Sequence, residues 1–164
     1  MYKEVKDVWE DIELNPKRTG VDATSAKYSL QDIEFKSGND DKGGDPLKTS
    51  FMWDKQTEEV RRKKTLESDA FVFGRFEHEY LRILLVGWEA STLESIRGLM
   101  KTKQEKFLEH WNKNIREGKR GGSDAIRISI GELLQGGQWD LWIRGTWHRS
   151  VTAEECRFLI SPPP

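Results

Sequence analysis

The chain holds one cysteine, Cys156, which excludes an internal disulfide, and its three histidines form no Cys/His spacing of a zinc site. Cys156 itself reads as a small packing side chain. No apolar run approaches the ~18 residues that a membrane span requires, and no signal-peptide core opens the chain. A soluble, cytoplasmic protein is therefore expected. Hydrophobic residues make up only 35% of the sequence, so the core must be thin and the surface strongly charged. Internal repeats are lacking too. Net charge is −1, which by itself argues weakly against a polyanion ligand.

What is present changes that last inference. Charged residues make up 34% of the chain, and they are segregated. Residues 1–14 carry five acids against two lysines, whereas residues 97–127 carry nine basic residues against four acids. Arg61-Arg62-Lys63-Lys64 forms a second basic block. Phosphate attraction is local, because screening acts within about 8–10 Å, so local charge matters more than the sum. At 164 residues a single domain is expected over 1–161, with Pro162–Pro164 as a disordered tail. Seven tryptophans are many for this length and fit a core plug or an interface.

Along the chain, Tyr2, Val5, Val8, Trp9 and Ile12 recur at helical spacing, predicting an amphipathic helix over 2–14 that Asn15-Pro16 ends. Strands are predicted over 18–23 and 28–37. A Gly/Asp-rich loop follows to Pro46, and residues 47–53 are expected to be semi-extended. Asp54 can cap a helix through Arg61–Lys64 to about Leu66. Residues 69–76 and 80–88 predict two strands, the second nearly all apolar and therefore central. Ser91-x-x-Glu94 and Thr102-x-x-Glu105 read as capping boxes opening two successive helices, the second closed by Gly118. Its Phe107, Leu108, Trp111 and Ile115 form one stripe. Residues 125–130 alternate as a half-buried strand with Arg127 outward. Trp139–Trp147 predicts one more strand, and Thr152 caps a final helical turn.

Chemistry concentrates in residues 18–38. A strand has period two, so Glu34 and Lys36 share one face while Ile33 and Phe35 share the other and anchor the strand. Asp22, on the preceding strand, can fold back beside Glu34. Two carboxylates and an ammonium at one strand edge suit a magnesium ion, a scissile phosphate and an attacking water. The triplet Glu4-Val-Lys6 falls in a helical pattern, and Asp40-Asp-Lys42 falls in a loop. Neither has these alternating flanks. The plain alternative is a surface hairpin with an ordinary ion pair.

The order of elements and the motif Asp22…Glu34-x-Lys36 resemble the PD-(D/E)XK nuclease family, which includes many type II restriction endonucleases and some repair nucleases. The likeness rests on Gly20-Val-Asp-Ala23 and Glu34-Phe-Lys-Ser37, with matching patterns at Asp69–Arg75, Glu105–Lys113 and Ser123–Leu134. The resemblance implies an α/β (α+β) fold, a restriction-endonuclease-like core with a mixed central sheet flanked by helices. It implies a metal-dependent endodeoxyribonuclease in which Asp22, Glu34 and the Phe35 carbonyl ligate magnesium (or manganese in its place). Lys36 would orient or deprotonate the water. Double-stranded DNA would be the substrate, and a homodimer would place two sites on two strands.

Phosphate contacts would come from Arg61, Arg62, Lys63, Lys64, Lys119 and Arg120. Met52 and Trp53 are the groove candidates by position, with Lys48 and Lys55 nearby. One family member reads bases with consecutive histidines, where this chain has Thr49-Ser50-Phe51-Met52-Trp53. An N-terminal helix sometimes supplies a further metal-site acid in this family, and Glu10 is the candidate. Two other readings stay open: a structure-specific repair nuclease or RNA-cleaving toxin on the same fold, and a non-catalytic binding domain.

Overall fold

The computed structural model of the chain describes residues 2–15, 21–54, 68–119 and 125–161. It is a mixed α/β fold around a mostly antiparallel sheet. The central strands are β5 (Ala70–Glu77) and β6 (Tyr80–Gly87), joined by a turn in which His78 and Glu79 adopt φ of 48° and 70°. Outward on one side lie β3 (Leu30–Asn39), β2 (Ala23–Ser25) and β1 (Glu13–Leu14). On the other lie β8 (Gln138–Ile143) and β9 (Thr146–Thr152), giving the order β1-β2-β3-β5-β6-β8-β9. Among the described strands only β3 and β5 run parallel, in a register that sets Glu34 beside Phe71 and Lys36 beside Phe73.

Each sheet face is apolar, because alternating side chains feed two separate cores. One joins Ile33 and Phe35 to Leu84, Val86 and the N-terminal residues Val5, Trp9 and Ile12. The other joins Phe71, Phe73 and Leu85 to helices and to a second, two-stranded sheet. That ribbon pairs β4 (Ser50–Asp54) antiparallel with β7 (Ala125–Ser129) and turns Phe51, Ile126 and Ile128 inward. Two large apolar faces on one sheet explain how a sequence poor in hydrophobics still closes a core.

Several elements differ from the sequence expectation. Helix α1 spans Tyr2–Val8 rather than 2–14. Beyond it, Lys6 Nζ donates to the carbonyls of Glu10 (2.6 Å) and Ile12 (2.5 Å), closing a turn. Glu13 and Leu14 then pair with Thr24 and Ala23 as a short strand. Trp9 and Ile12 are buried as their spacing implied, but a turn places them. The strand expected over 18–23 is displaced to 23–25, and 16–20 lie outside the described residues. Residues 46–48 form a 3-10 turn in which Asp45 accepts the Leu47 N–H, and β4 leaves the main sheet altogether.

The two helices expected over 91–117 are one, α2 (Ala90–Arg116), about 40 Å long at 1.5 Å per residue. Thr102 caps nothing: its hydroxyl donates back to the Gly98 carbonyl at 3.1 Å, as threonines inside helices do. Gly118 does end the helix, at φ 72°, with its N–H on the Ile115 carbonyl. Ile96 and Met100 enter the core, whereas Ile115 is exposed, so the stripe predicted from Phe107 to Ile115 is only partly buried.

Ile130 begins α3 (Ile130–Leu133) instead of ending β7, because Ser129 and Glu132 form a capping box. The single strand expected over 139–147 is a hairpin. Arg144 and Gly145 both take positive φ, 50° and 77°, the two-residue turn that matches strand twist. Thr152 accepts the Glu155 N–H and opens α4 (Ala153–Ile160), as expected. The helix expected from Asp54 to Leu66 and the tail 162–164 lie outside the described residues. Among the described residues no helix is long and apolar enough to cross a membrane.

Candidate active site

The site is assembled where β2 stops pairing. Ala23 stands opposite Ile33, but one residue earlier the chain bends out of the ladder. Asn15 holds the bend from behind, its N–H donating to the Asp22 carbonyl (3.0 Å) and its side-chain amide to the Val21 carbonyl (2.8 Å). The Asp22 carboxylate then takes the place of a backbone acceptor: Oδ2 receives the Phe35 N–H at 2.8 Å. A strand residue's N–H and C=O point to the same side. The Phe35 carbonyl therefore faces the same edge of β3 as the Asp22 carboxylate.

Alternation along β3 does the rest. Ile33 and Phe35 are buried, at 0% and 5% exposure, in the core under α1. Glu34 and Lys36 consequently project to the opposite face, and Lys36 Nζ lies 3.4 Å from Glu34 Oε1. Glu34 is 8% exposed, so its charge is held in a nearly dry environment with an ammonium beside it. Burying an acid is costly unless it is paired, and here it is. The strand is also pinned from its other edge. Asp69, just before β5, accepts the N–H groups of Gln31 (2.8 Å) and Asp32 (3.0 Å), and its own N–H donates to the Asp32 carbonyl.

The structure thus gathers Asp22, Glu34, the Phe35 backbone and Lys36 around one stretch of β3. Their oxygen donors, two carboxylates and a carbonyl, suit a hard cation that keeps part of its water shell. Among the described residues no group of three or more His, Cys, Asp or Glu side chains is arranged to hold a metal.

The other sequence candidates scatter. Glu10 is exposed on the turn after α1, and α1 packs against the face of β3 opposite to Glu34. Lys48 is exposed at the foot of β4, and Met52 is 46% exposed on that strand. Lys119 is exposed just past α2, with its ammonium 3.1 Å from Glu117. Lys55, Arg61, Arg62, Lys63, Lys64, Arg120 and the side chain of Trp53 lie outside the described residues. Asp69 had no signal in the sequence, since its partners are 37 and 38 residues away.

Two of the other acid-bearing motifs have structural roles. Asp40 receives the buried Arg75 guanidinium at 3.1 Å, while Arg75 Nε donates to Thr49 Oγ1 at 2.9 Å and NH1 pairs with Glu77. Glu4 belongs to α1. No protein-family model and no curated protein matches the chain.

Proposed function

We propose that the chain is a magnesium-dependent nuclease of the PD-(D/E)XK type, with a restriction-endonuclease-like core, cutting double-stranded DNA as a homodimer. The observation that carries this reading is the Asp22 carboxylate seated on the Phe35 amide, beside a buried Glu34 that pairs with Lys36. A surface ion pair on an ordinary hairpin would need neither the bend at Asp22 nor the burial of Glu34.

In this mechanism Asp22, Glu34 and the Phe35 carbonyl would hold the cation. When bound, the cation supplies charge stabilisation on the phosphoryl oxygens and acidifies a coordinated water. Lys36 contributes a fixed positive charge at the rim, where it orients the attacking water and offsets charge on the phosphate. Glu34 keeps that ammonium close through their pairing. Asp22 acts twice, since its hydrogen bond to Phe35 also sets the angle at which the strand edge meets the substrate. Attack of the water oxygen on phosphorus forms one P–O bond as the bond to the leaving sugar oxygen breaks, the water's proton passing to solvent and the leaving oxygen taking one from it.

The test is incubation of purified protein with supercoiled plasmid and with linear DNA, in magnesium and then in EDTA. Cutting that requires magnesium and disappears in Glu34→Gln supports the reading. Undiminished cutting by Glu34→Gln overturns it. A discrete fragment ladder is expected from a site-specific enzyme, and degradation of branched DNA or of RNA instead would redirect the substrate class.

A further inference from the structure

The β4–β7 ribbon lies on the same face of the sheet as Glu34 and Lys36. Alternation places Glu34, Lys36 and Gly38 together on that face of β3. At Gly38 the ribbon is in contact: a Cβ there would stand 2.8 Å from the Ser50 carbonyl oxygen and 2.9 Å from Thr49 Cγ2. One residue on, the Phe51 ring packs 5.1 Å from that of Phe73, the strand partner of Lys36. The ribbon therefore crosses the sheet immediately beside the candidate site.

With Phe51, Ile126 and Ile128 turned inward, the ribbon must present Met52 and Arg127 outward. These two are direct cross-strand partners, and both are exposed. Their pairing is notable for what Arg127 does not do. Arg75, Arg97, Arg144 and Arg157 each donate to internal acceptors. The Arg127 side chain has no hydrogen-bond, ion-pair or ring partner among the described residues, although its backbone sits in a regular strand.

A two-stranded antiparallel ribbon is one of the shapes the major groove admits, and the groove is about 8.5 Å deep. Stacked sheets lie about 10 Å apart, so the outer face of the ribbon stands about one groove depth above the plane of Lys36. A strand phosphate at Glu34 and Lys36 would leave the ribbon facing base edges. We propose that Arg127 reads a guanine in the major groove, its forked N–H groups donating to O6 and N7, with the Met52 thioether packed on the neighbouring base edge. This rests on the nuclease reading of the Glu34 site and adds to it the residue that selects sequence.

The experiment selects from a randomised duplex pool in magnesium-free buffer with EDTA, using the unaltered chain, Arg127→Ala and Arg127→Lys. The unaltered chain should enrich a site with a fixed guanine, and Arg127→Ala should lose discrimination there by tenfold or more. Replacing that guanine with 7-deazaguanine should weaken the unaltered chain about tenfold and leave Arg127→Ala unaffected. Arg127→Lys should keep overall affinity but discriminate less. The deazaguanine arm needs no variant, so it decides the question even where a substitution disturbs folding. The proposal falls if Arg127→Ala selects the same guanine, if no sequence is enriched, or if all duplexes weaken equally with a smaller salt slope. Cutting that survives Glu34→Gln while guanine selection still needs Arg127 would overturn the nuclease reading and leave this inference standing.

Discussion

Asp22 Oδ2 and the Phe35 amide nitrogen stand 2.8 Å apart, so a carboxylate replaces the backbone acceptor that the next rung of the β2–β3 ladder would have supplied. This substitution lets β2 end at Ala23 and still holds its chain against β3. Removing it should therefore cost both chemistry and structure.

Asp22→Ala is expected to abolish magnesium-dependent cutting and to destabilise the fold by about 1.5–3 kcal/mol, the typical contribution of a hydrogen bond to a charged group. Lys36→Ala should abolish cutting while sparing DNA affinity. Calorimetric titration with magnesium, paired with urea unfolding, separates the two effects. Wild-type cutting by Asp22→Ala would show that the carboxylate serves only the hairpin.

Asp69→Ala should destabilise the chain by a similar amount, about 1.5–3 kcal/mol, because two amide donors at the start of β3 lose their acceptor. Hydrogen exchange should accelerate first at Gln31 and Asp32. An unchanged urea midpoint with unchanged exchange would show that water replaces the carboxylate without loss.

Gly38→Ala tests the seating of the ribbon. Its methyl group would meet the Ser50 carbonyl oxygen at 2.8 Å, so the ribbon must lift or β3 must bend. Overpacking of this kind typically costs about 1–3 kcal/mol. A melting curve identical to that of the parent chain would mean that the contact relaxes freely.

Asp40 supplies a pH dependence. Its hydrogen bond from Arg75, and next the Gly44 N–H, hold its carboxyl below the ordinary 3.8. A depressed folded pKa means that the unfolded chain takes up the proton first. The contribution is complete above about pH 5 and is lost as pH falls through the folded value. Asp40→Asn should therefore be less stable than the parent near neutrality and converge with it in acid. Parallel stability curves from pH 7 to 2 would count against it.

Cys156 should be silent. It is 0% exposed, and burial, with the charges of Glu155 and Asp140, pushes its thiol up to about 12. Ellman's reagent at pH 8 should leave the folded chain unlabelled and modify one thiol per chain in guanidinium. Rapid labelling of the native protein would show that α4 opens.

The local grammar of β3 was legible without coordinates. Period-two alternation assigned Ile33 and Phe35 to a core and Glu34 and Lys36 to the other face, and both cores and the 3.4 Å pairing follow that assignment. So were the β5–β6 hairpin, the Gly118 stop and the Thr152 cap, each fixed by residues within a few positions of one another. Legibility failed where one local signal competed with another. Thr102 carries a capping-box pattern, yet the helix formers on both sides of it, Leu99–Lys101 and Lys103–Leu108, outweigh it. Arg144-Gly145 turns the chain through an arginine at positive φ, a residue that announces no turn.

Within β3 the residue pattern alone dictates which side chains share a face, because a pleated backbone allows only one alternation. Only the tertiary structure decided that Asp22 would leave the ladder to bind the Phe35 amide. It alone also decided that Asp69 would clamp β3 from the far edge, and that β4 and β7 would pair into a ribbon over the Glu34 face of β3. Those relationships join residues 13 to 79 positions apart, and their energy is realised only once the sheet has brought the strands together.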